Sequence, residues 1–256
     1  MATGIRKVGD FCWINIVTPQ PGEAMKFFAE VLGWTFYEMP PFGHGIQVGG
    51  RDIGGLFDIA GPSCPPNMAP AIGVMVKVDN VDATCEKIKS LGGKAKAPFD
   101  IADHGRMAVC HDPNGGEFDI WEPKTMQGTD ADSSLHGSPS WSECLTTDVA
   151  LATSFYTDLF GWTVEVKHMP GMDYTVFNNG ADIAGMMPVP YPGMTPHWGT
   201  YFTVKDTDEA ARVAEGLGAK LFVPPTDIPG IGRFCGILSP QGVGFFAIRY
   251  LPRQGS

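Results

Sequence analysis

The sequence lacks long hydrophobic runs and basic clusters, and each absence excludes a class of protein. No stretch approaches the roughly 20 apolar residues that a membrane-spanning helix needs. The formal net charge is −10, which would repel a phosphate backbone, and no basic patch with interleaved aromatics offsets it. We therefore expect neither a membrane protein nor a partner of nucleic acid.

Paired cysteines, a leader segment and nucleotide-binding motifs are also missing. The six cysteines are scattered without a CxxC pair, which favours reduced, mostly buried thiols over a zinc knuckle or a disulfide framework. The opening residues MATGIRKVGDF contain no apolar signal-peptide segment, which predicts a cytoplasmic protein. No P-loop or dinucleotide fingerprint is present, so no nucleotide cofactor is expected.

What the sequence does contain is a long internal repeat. The segment WSECLTTDVALATSFYTDLFGW at 141–162 repeats WINIVTPQPGEAMKFFAEVLGW at 13–34, at a constant offset of 128 residues. The chain of 256 residues has room for two domains of about 100 to 150 residues each. The repeat predicts a tandem duplication.

Each half contains two copies of a smaller unit, a strand, a helix and three more strands. The helix of the first unit carries its large apolar residues on one side and ends at Gly33. A similar unit begins about 60 residues later, and the second half repeats both. In the first half, the predicted elements are strand 11–17, helix 23–32, strands 35–39, 45–48 and 53–59, strand 72–78 and helix 81–91. The pattern predicts an α+β protein of four βαβββ modules.

The boundary between the halves lies in the small and polar segment KTMQGTDADSSLHGSPS at 124–140, whose composition is typical of a flexible linker. A Pro-rich connection at 61–70 joins the first two modules. The predicted division is an N-terminal domain at 1–125 (modules 9–62 and 70–123), a linker at 126–139 and a C-terminal domain at 140–252 (modules 140–190 and 196–251).

Paired βαβββ modules with a helix ending in FYTDLFGW, and a closing hairpin that carries GR and DPNGG, resemble the vicinal oxygen chelate superfamily. Its members include glyoxalase I, extradiol dioxygenases and bleomycin-resistance proteins. The resemblance covers nearly the whole chain and is closest to the two-domain glyoxalase-like group. It implies two domains, each an incomplete β-barrel cup with flanking helices that holds a ligand, and in the enzymes a divalent metal.

The residues at the metal positions implied by this resemblance do not match. A first-strand histidine is replaced by Trp13, Gly73, Trp141 and Gly199, and the last-strand carboxylate is Asp119 in one half and Phe246 in the other. One carboxylate does not supply the three or four ligands that such a site needs. We predict no cofactor and disfavour a divalent metal. The alternative is a metal-dependent lyase, isomerase or dioxygenase whose ligands come from positions such as His197, Glu143, Asp119 or His111.

Strand periodicity suggests which polar residues share the cups with the tryptophans. Residues two apart lie on one face of a strand, so Glu143 accompanies Trp141, and His197 accompanies Tyr201. A histidine beside a carboxylate can act as a general acid/base pair, which predicts Glu143 and His197 as catalytic residues of the second cup. The alternative is that Glu143 pairs locally and His197 lies at the rim.

The predicted ligand-binding residues are Trp13, Asn15, Trp121, Trp141, Tyr201, Arg106 and Arg233. The two arginines begin equivalent hairpins after Asp100 and Asp227, where a guanidinium suits an anionic ligand but also a structural ion pair. The leading hypothesis is a monomer or homodimer that binds a small apolar or aromatic molecule without a metal. It would sequester that molecule, as resistance proteins do, or turn it over by acid/base chemistry, so enzymatic activity is left open. A scaffold with filled cups is the third possibility.

Overall fold

The computed structural model describes residues 2–61, 68–169 and 171–252. The first half contains β1 (Phe11–Thr18), α1 (Pro21–Leu32), β2 (Thr35–Met39), β3 (Gly43–Val48), β4 (Arg51–Asp58), β5 (Ala71–Lys77), α2 (Val81–Ser90), β6 (Lys94–Ala95), β7 (Phe99–Ile101), β8 (Gly105–His111) and β9 (Glu117–Pro123). The second half contains β10 (Pro139–Thr146), α3 (Val149–Phe160), β11 (Thr163–Met169), β12 (Met172–Asn178), β13 (Asp182–Pro188), β14 (His197–Thr203), α4 (Thr207–Gly216), β15 (Lys220–Ile228), β16 (Gly232–Leu238) and β17 (Gly244–Tyr250).

Each half forms one curled sheet in which the opening strands of its two modules lie side by side. The first sheet has the order β2-β3-β4-β1-β5-β9-β8-β6, with β7 also paired to β8, and the second has the order β11-β12-β13-β10-β14-β17-β16-β15. Antiparallel pairing of the opening strands sets Asn15 opposite Gly73 and Glu143 opposite Gly199. The prediction of four βαβββ modules in two glyoxalase-like domains is confirmed.

Local sequence signals explain where the helices begin and end. Asp148 caps α3, accepting a hydrogen bond from the backbone N–H of Leu151. Gly33 and Gly161 end α1 and α3 in the left-handed conformation, with φ of 67° and 72°. Helix α1 begins at Pro21, two residues before the predicted start, because the fixed φ of proline suits the first helical position.

The helices of the two halves face each other, and the two largest apolar cores lie between the halves. In one core, the rings of Phe28 and Phe245 have centroids 5.5 Å apart, and those of Trp34 and Phe202 are 5.1 Å apart. In the other core, Phe118 of the first half packs against Tyr156 of the second at 5.6 Å. Each half therefore buries its helices largely against the other half.

The segment that joins the halves is packed rather than flexible, which corrects the expectation from its composition. Arg6 donates from Nη2 to the carbonyl of Ala131 at 2.7 Å, and Trp34 donates from Nε1 to the carbonyl of Gly137 at 2.8 Å. Ala131 and Ser138 are buried. Small residues let this backbone lie close to both halves, where its polar groups find partners.

Two further expectations concern cysteines and membrane spans. The five cysteines within the described ranges are free and buried, as predicted. Cys64, with the Pro-rich residues around it at 62–67, lies outside those ranges. None of the helices in the described part of the chain is long and apolar enough to cross a membrane.

Candidate functional site

The sheet faces that point away from the shared cores form two cups, and the first cup is built around Asp119. Ile14 and Ile16 of β1 point into the core, so Trp13 and Asn15 between them point into the cup. Asn15 donates from Nδ2 to Oδ2 of Asp119 at 3.1 Å. An apolar cluster completes this cup and consists of Cys12, Trp13, Met75, Met107 and Trp121.

Asp119 is a buried carboxyl with little compensation for its charge. Its exposed fraction is 7%. Within the described chain, its one hydrogen-bond donor is the amide of Asn15, and no lysine or arginine forms a salt bridge with it. Burial raises the pKa of Asp119 to about 7, and the Asn15 bond offsets this only in part. Such a carboxyl can both accept and donate a proton near neutral pH.

The second cup is built around Glu143, whose two oxygens are both engaged. Tyr174 donates its hydroxyl to Oε1 at 2.8 Å, and Tyr201 donates its hydroxyl to Oε2 at 2.9 Å. Trp141 in turn donates from Nε1 to the Tyr174 hydroxyl at 2.9 Å. Burial raises the pKa of Glu143 while the two tyrosine bonds oppose the shift. We call these four side chains the Glu143 network.

Aromatic rings line the remaining surface of the second cup. Phe246 stacks on Tyr201 with ring centroids 4.3 Å apart and an interplanar angle of 11°. The hydroxyl end of Tyr174 lies against Gly185, where any side chain would collide with it. Glycine at that position is therefore needed for Tyr174 to reach Glu143.

The structure does not join the two predicted catalytic residues. The Nδ1 atom of His197 lies 2.9 Å from the carbonyl of Thr195, and His197 stands opposite Leu145, two positions along β10 from Glu143. Across the residues that the structure describes, no hydrogen bond links His197 to Glu143. Glu143 pairs locally with the two tyrosines, as in the alternative, and His197 is the first residue of β14.

Arg106 and Arg233 form ion pairs with helix carboxylates, the structural alternative to the predicted role in ligand binding. Met107 points into the first cup, so its neighbour Arg106 points to the helix side of the sheet. There it binds both carboxylate oxygens of Asp82, at the start of α2, at 2.9 and 3.0 Å. Arg233 binds Asp208 of α4 in the same way at 2.8 and 2.9 Å. Both arginines form structural ion pairs between hairpin and helix.

The donor set of the cups does not fit the divalent metal that the resemblance implies. Among the described residues, Asp119 has one hydrogen-bond partner, the amide of Asn15, and the corresponding Phe246 stacks on Tyr201. His111 contacts Glu117 at 3.2 Å in the closing hairpin. In the described ranges, no three histidine, cysteine, aspartate or glutamate side chains are grouped as metal ligands would be.

Tyr174 is the site residue that the sequence did not reveal. It lies on β12, which is separated from β10 by β13 in the sheet, and neither the repeat nor strand alternation relates it to Glu143. A faint signal exists in Gly185, since a glycine within a strand often marks a close approach by another group. The glycine does not say which group approaches.

Solved structures share this architecture at low sequence identity. The Mn(II)-bound glyoxalase of Novosphingobium aromaticivorans has a TM-score of 0.65 and 15% identity, covering 95% of this chain and 82% of its own. The 2,3-dioxygenase LapB of Pseudomonas sp. KL28 has a TM-score of 0.64 and 13% identity, covering 100% of this chain and 97% of its own. Similarity at this level supports the fold alone.

Sequence comparison identifies the family. CFP32 of Mycobacterium bovis, named as a candidate glyoxylase, is 32% identical over 250 residues, which is 94% of this chain and 95% of that protein. The anthracycline biosynthesis protein DnrV of Streptomyces peucetius is 28% identical over 253 residues, 92% of this chain and 91% of that protein. The sequence model of one superfamily matches residues 11–120 and 142–245. The chain belongs to the Glyoxalase/Bleomycin resistance protein/Dioxygenase superfamily.

Proposed function

We propose that the chain binds a small apolar or aromatic molecule in its cups and handles it without a catalytic metal. The observation that carries this proposal is the same in both cups: one buried carboxylate stands among tryptophan and other apolar side chains. Apolar walls with a few well-placed polar groups are typical of sites for small organic ligands. Stacking on the rings would favour planar molecules.

The two cups have different roles in this proposal. Asp119 has one hydrogen-bond donor, and a Cβ added at Gly73 would lie in van der Waals contact with its Oδ2 at 3.6 Å. Its carboxyl is therefore the group for proton transfer to or from a bound molecule. Glu143 already accepts hydrogen bonds from two tyrosines. The Glu143 network therefore orients a ligand and does not exchange a proton with it. Sequestration and metal-independent turnover differ only in whether Asp119 moves a proton on the ligand.

An anthracycline is the first probe for this proposal. The relative DnrV is named for anthracycline biosynthesis, and fused aromatic rings would stack on aromatic side chains such as those of the cups. Titration should quench tryptophan fluorescence saturably. Trp13→Phe should remove the quenching component of the first cup and Trp141→Phe that of the second. If neither the anthracycline nor a smaller naphthoquinone binds saturably, the proposal is wrong.

Turnover and metal use need separate measurements. Asp119→Asn should abolish any slow change in the absorption spectrum of the bound probe while leaving its dissociation constant within about threefold, since the amide keeps the shape and one acceptor of the carboxyl. Glu143→Gln should weaken binding in the second cup without that spectral effect. Stoichiometric iron, zinc, nickel or manganese in protein purified without a histidine tag would contradict the metal-independent proposal.

A further inference from the structure

Strand β11 forms an edge of the second sheet that the described residues leave uncovered. It pairs only with β12 among the described strands, and six of its seven residues are exposed. Val164 and Val166 have exposed fractions of 39% and 49%. The equivalent of Val164 in the first sheet, Phe36, is instead partly buried against the interdomain core. An edge with both faces free is a ready template for another strand.

The edge is also regular. Seven consecutive pairs join β11 to β12 without a bulge, from Thr163 with Asn178 to Met169 with Met172. No proline interrupts Thr163–Met169. Bulges, prolines and charged side chains are the common devices that prevent edge-to-edge association, and this edge has only the charges. The charges on this strand, Glu165 and Lys167, are of opposite sign and lie on the same face.

We propose that β11 pairs with β11 of a second copy of this chain, antiparallel and about a twofold axis at Val166. A twofold axis that continues a sheet runs perpendicular to it, so one residue must stand opposite its own copy. Centring on Val166 pairs all seven residues. The same register sets Glu165 opposite Lys167 of the second copy, twice. Centring on Glu165 or Lys167 would shorten the overlap and oppose like charges, which destabilises a strand pair.

The partner strand is therefore a copy of β11 rather than an unrelated strand, because the order of charges along β11 is self-complementary in an antiparallel pair. Within one chain the Lys167 ammonium lies 4.0 Å from Glu165 and 3.7 Å from Asp182, and such exposed pairs are weak. The second copy would add a directly opposed carboxylate. The strand pair joins two eight-stranded sheets into one continuous sheet.

Charge exchange tests the proposal in solution. Sedimentation at increasing concentration should show the 27.5 kDa chain converting to a species of twice that mass. Lys167→Glu alone, or Glu165→Lys alone, should raise the dissociation constant on the order of tenfold, because both symmetric pairs become repulsive. The double variant Glu165→Lys with Lys167→Glu should restore the original value. A monomer at all concentrations, or a dimer insensitive to these changes, overturns the proposal.

Cysteine cross-linking tests the register. In the proposed dimer Val166 faces its own copy with Cα atoms about 4.5 to 5.5 Å apart, within the range of a disulfide. Val166→Cys should form a disulfide-linked dimer on mild oxidation, seen without reductant on a denaturing gel. Val164→Cys is the matched control, because Val164 faces His168 of the second copy and should cross-link at least tenfold more slowly. Equal cross-linking of the two variants contradicts the Val166 axis.

Discussion

Asp119 makes folding stability depend on pH in a direction opposite to that of a salt-bridged carboxylate. Burial raises its pKa from 3.8 to about 7, so the folded chain holds this proton in a range where the unfolded chain has lost it. Between about pH 4 and 7 the free energy of unfolding contributed by Asp119 therefore falls as pH rises. Above pH 7 the folded chain carries the full cost of a buried, poorly compensated charge.

Asp119→Asn should relieve this cost. The variant should have a higher free energy of unfolding than the parent, and this gain should be about 2 to 3 kcal/mol larger at pH 8 than at pH 5. The figure follows from about 1.4 kcal/mol per pKa unit. Urea unfolding at both pH values measures the difference. Asp79→Asn removes one carboxylate from an exposed position and is the control. A stability difference that is the same at both pH values would show that Asp119 is charged in both states.

The sequence predicts which residues of one strand share a face better than it predicts which residues of different strands come into contact. The alternation of strand residues correctly placed Trp141 and Glu143 on one face, as their links through Tyr174 require. It could not supply Tyr174, because the pairing order of β12, β13 and β10 is a tertiary property. It also made His197 a partner of Glu143 on shared face alone, whereas the position along the strand decides contact.

The helices and closing hairpins are joined by repeated ion pairs. Each pair has two hydrogen bonds between the guanidinium and one carboxylate, in Arg106 with Asp82 and in Arg233 with Asp208. The aspartates lie in the first turns of α2 and α4, where a negative charge is favourable. The offset between the halves predicted the equivalence of the arginines. It did not distinguish a ligand from a helix as their partner, since both offer a carboxylate or another anion.

Replacing either arginine should affect stability slightly and ligand binding not at all. Arg106→Met and Arg233→Met keep the alkyl stem but remove the guanidinium. Each should lower the free energy of unfolding only slightly, because the pairs are exposed to water and screened by it, and the two effects should add. Urea unfolding and the anthracycline titration measure both quantities. A tenfold loss of probe affinity would return the arginines to the binding site.

The modules were predictable because their local signals agree. Apolar residues at helical spacing end at Gly33 and Gly161, and short strand runs follow. The association of the modules was only partly predictable. An amphipathic helix shows that one of its faces is buried but not which element covers it. Pairing of α1 with α4 and of α2 with α3 across the halves is therefore visible only in the structure.

The molecule as a whole should fold as one cooperative unit although its sequence is a tandem repeat. Both large cores combine residues of the two halves, and a hydroxyl of one half completes the polar network of the other. Tyr156 donates to Oδ2 of Asp112 at 2.9 Å and accepts from Nε1 of Trp198 at 2.9 Å. Separation of the halves would expose the rings of Phe28, Trp34 and Phe245 and leave buried polar groups without partners.

We expect the fragment 1–125 alone to lack fixed tertiary packing. Each half would keep its sheet hydrogen bonds but lose the surface that covers its helices, so near-UV circular dichroism should be weak and dye binding to exposed apolar surface strong. Mixing fragment 1–125 with fragment 126–256 should restore the near-UV signal of the intact chain, and the intact chain should unfold in a single transition by calorimetry. A fragment with native-like, dispersed amide resonances would instead mean that each sheet and its helices suffice, and that the shared cores contribute affinity between two independently stable domains.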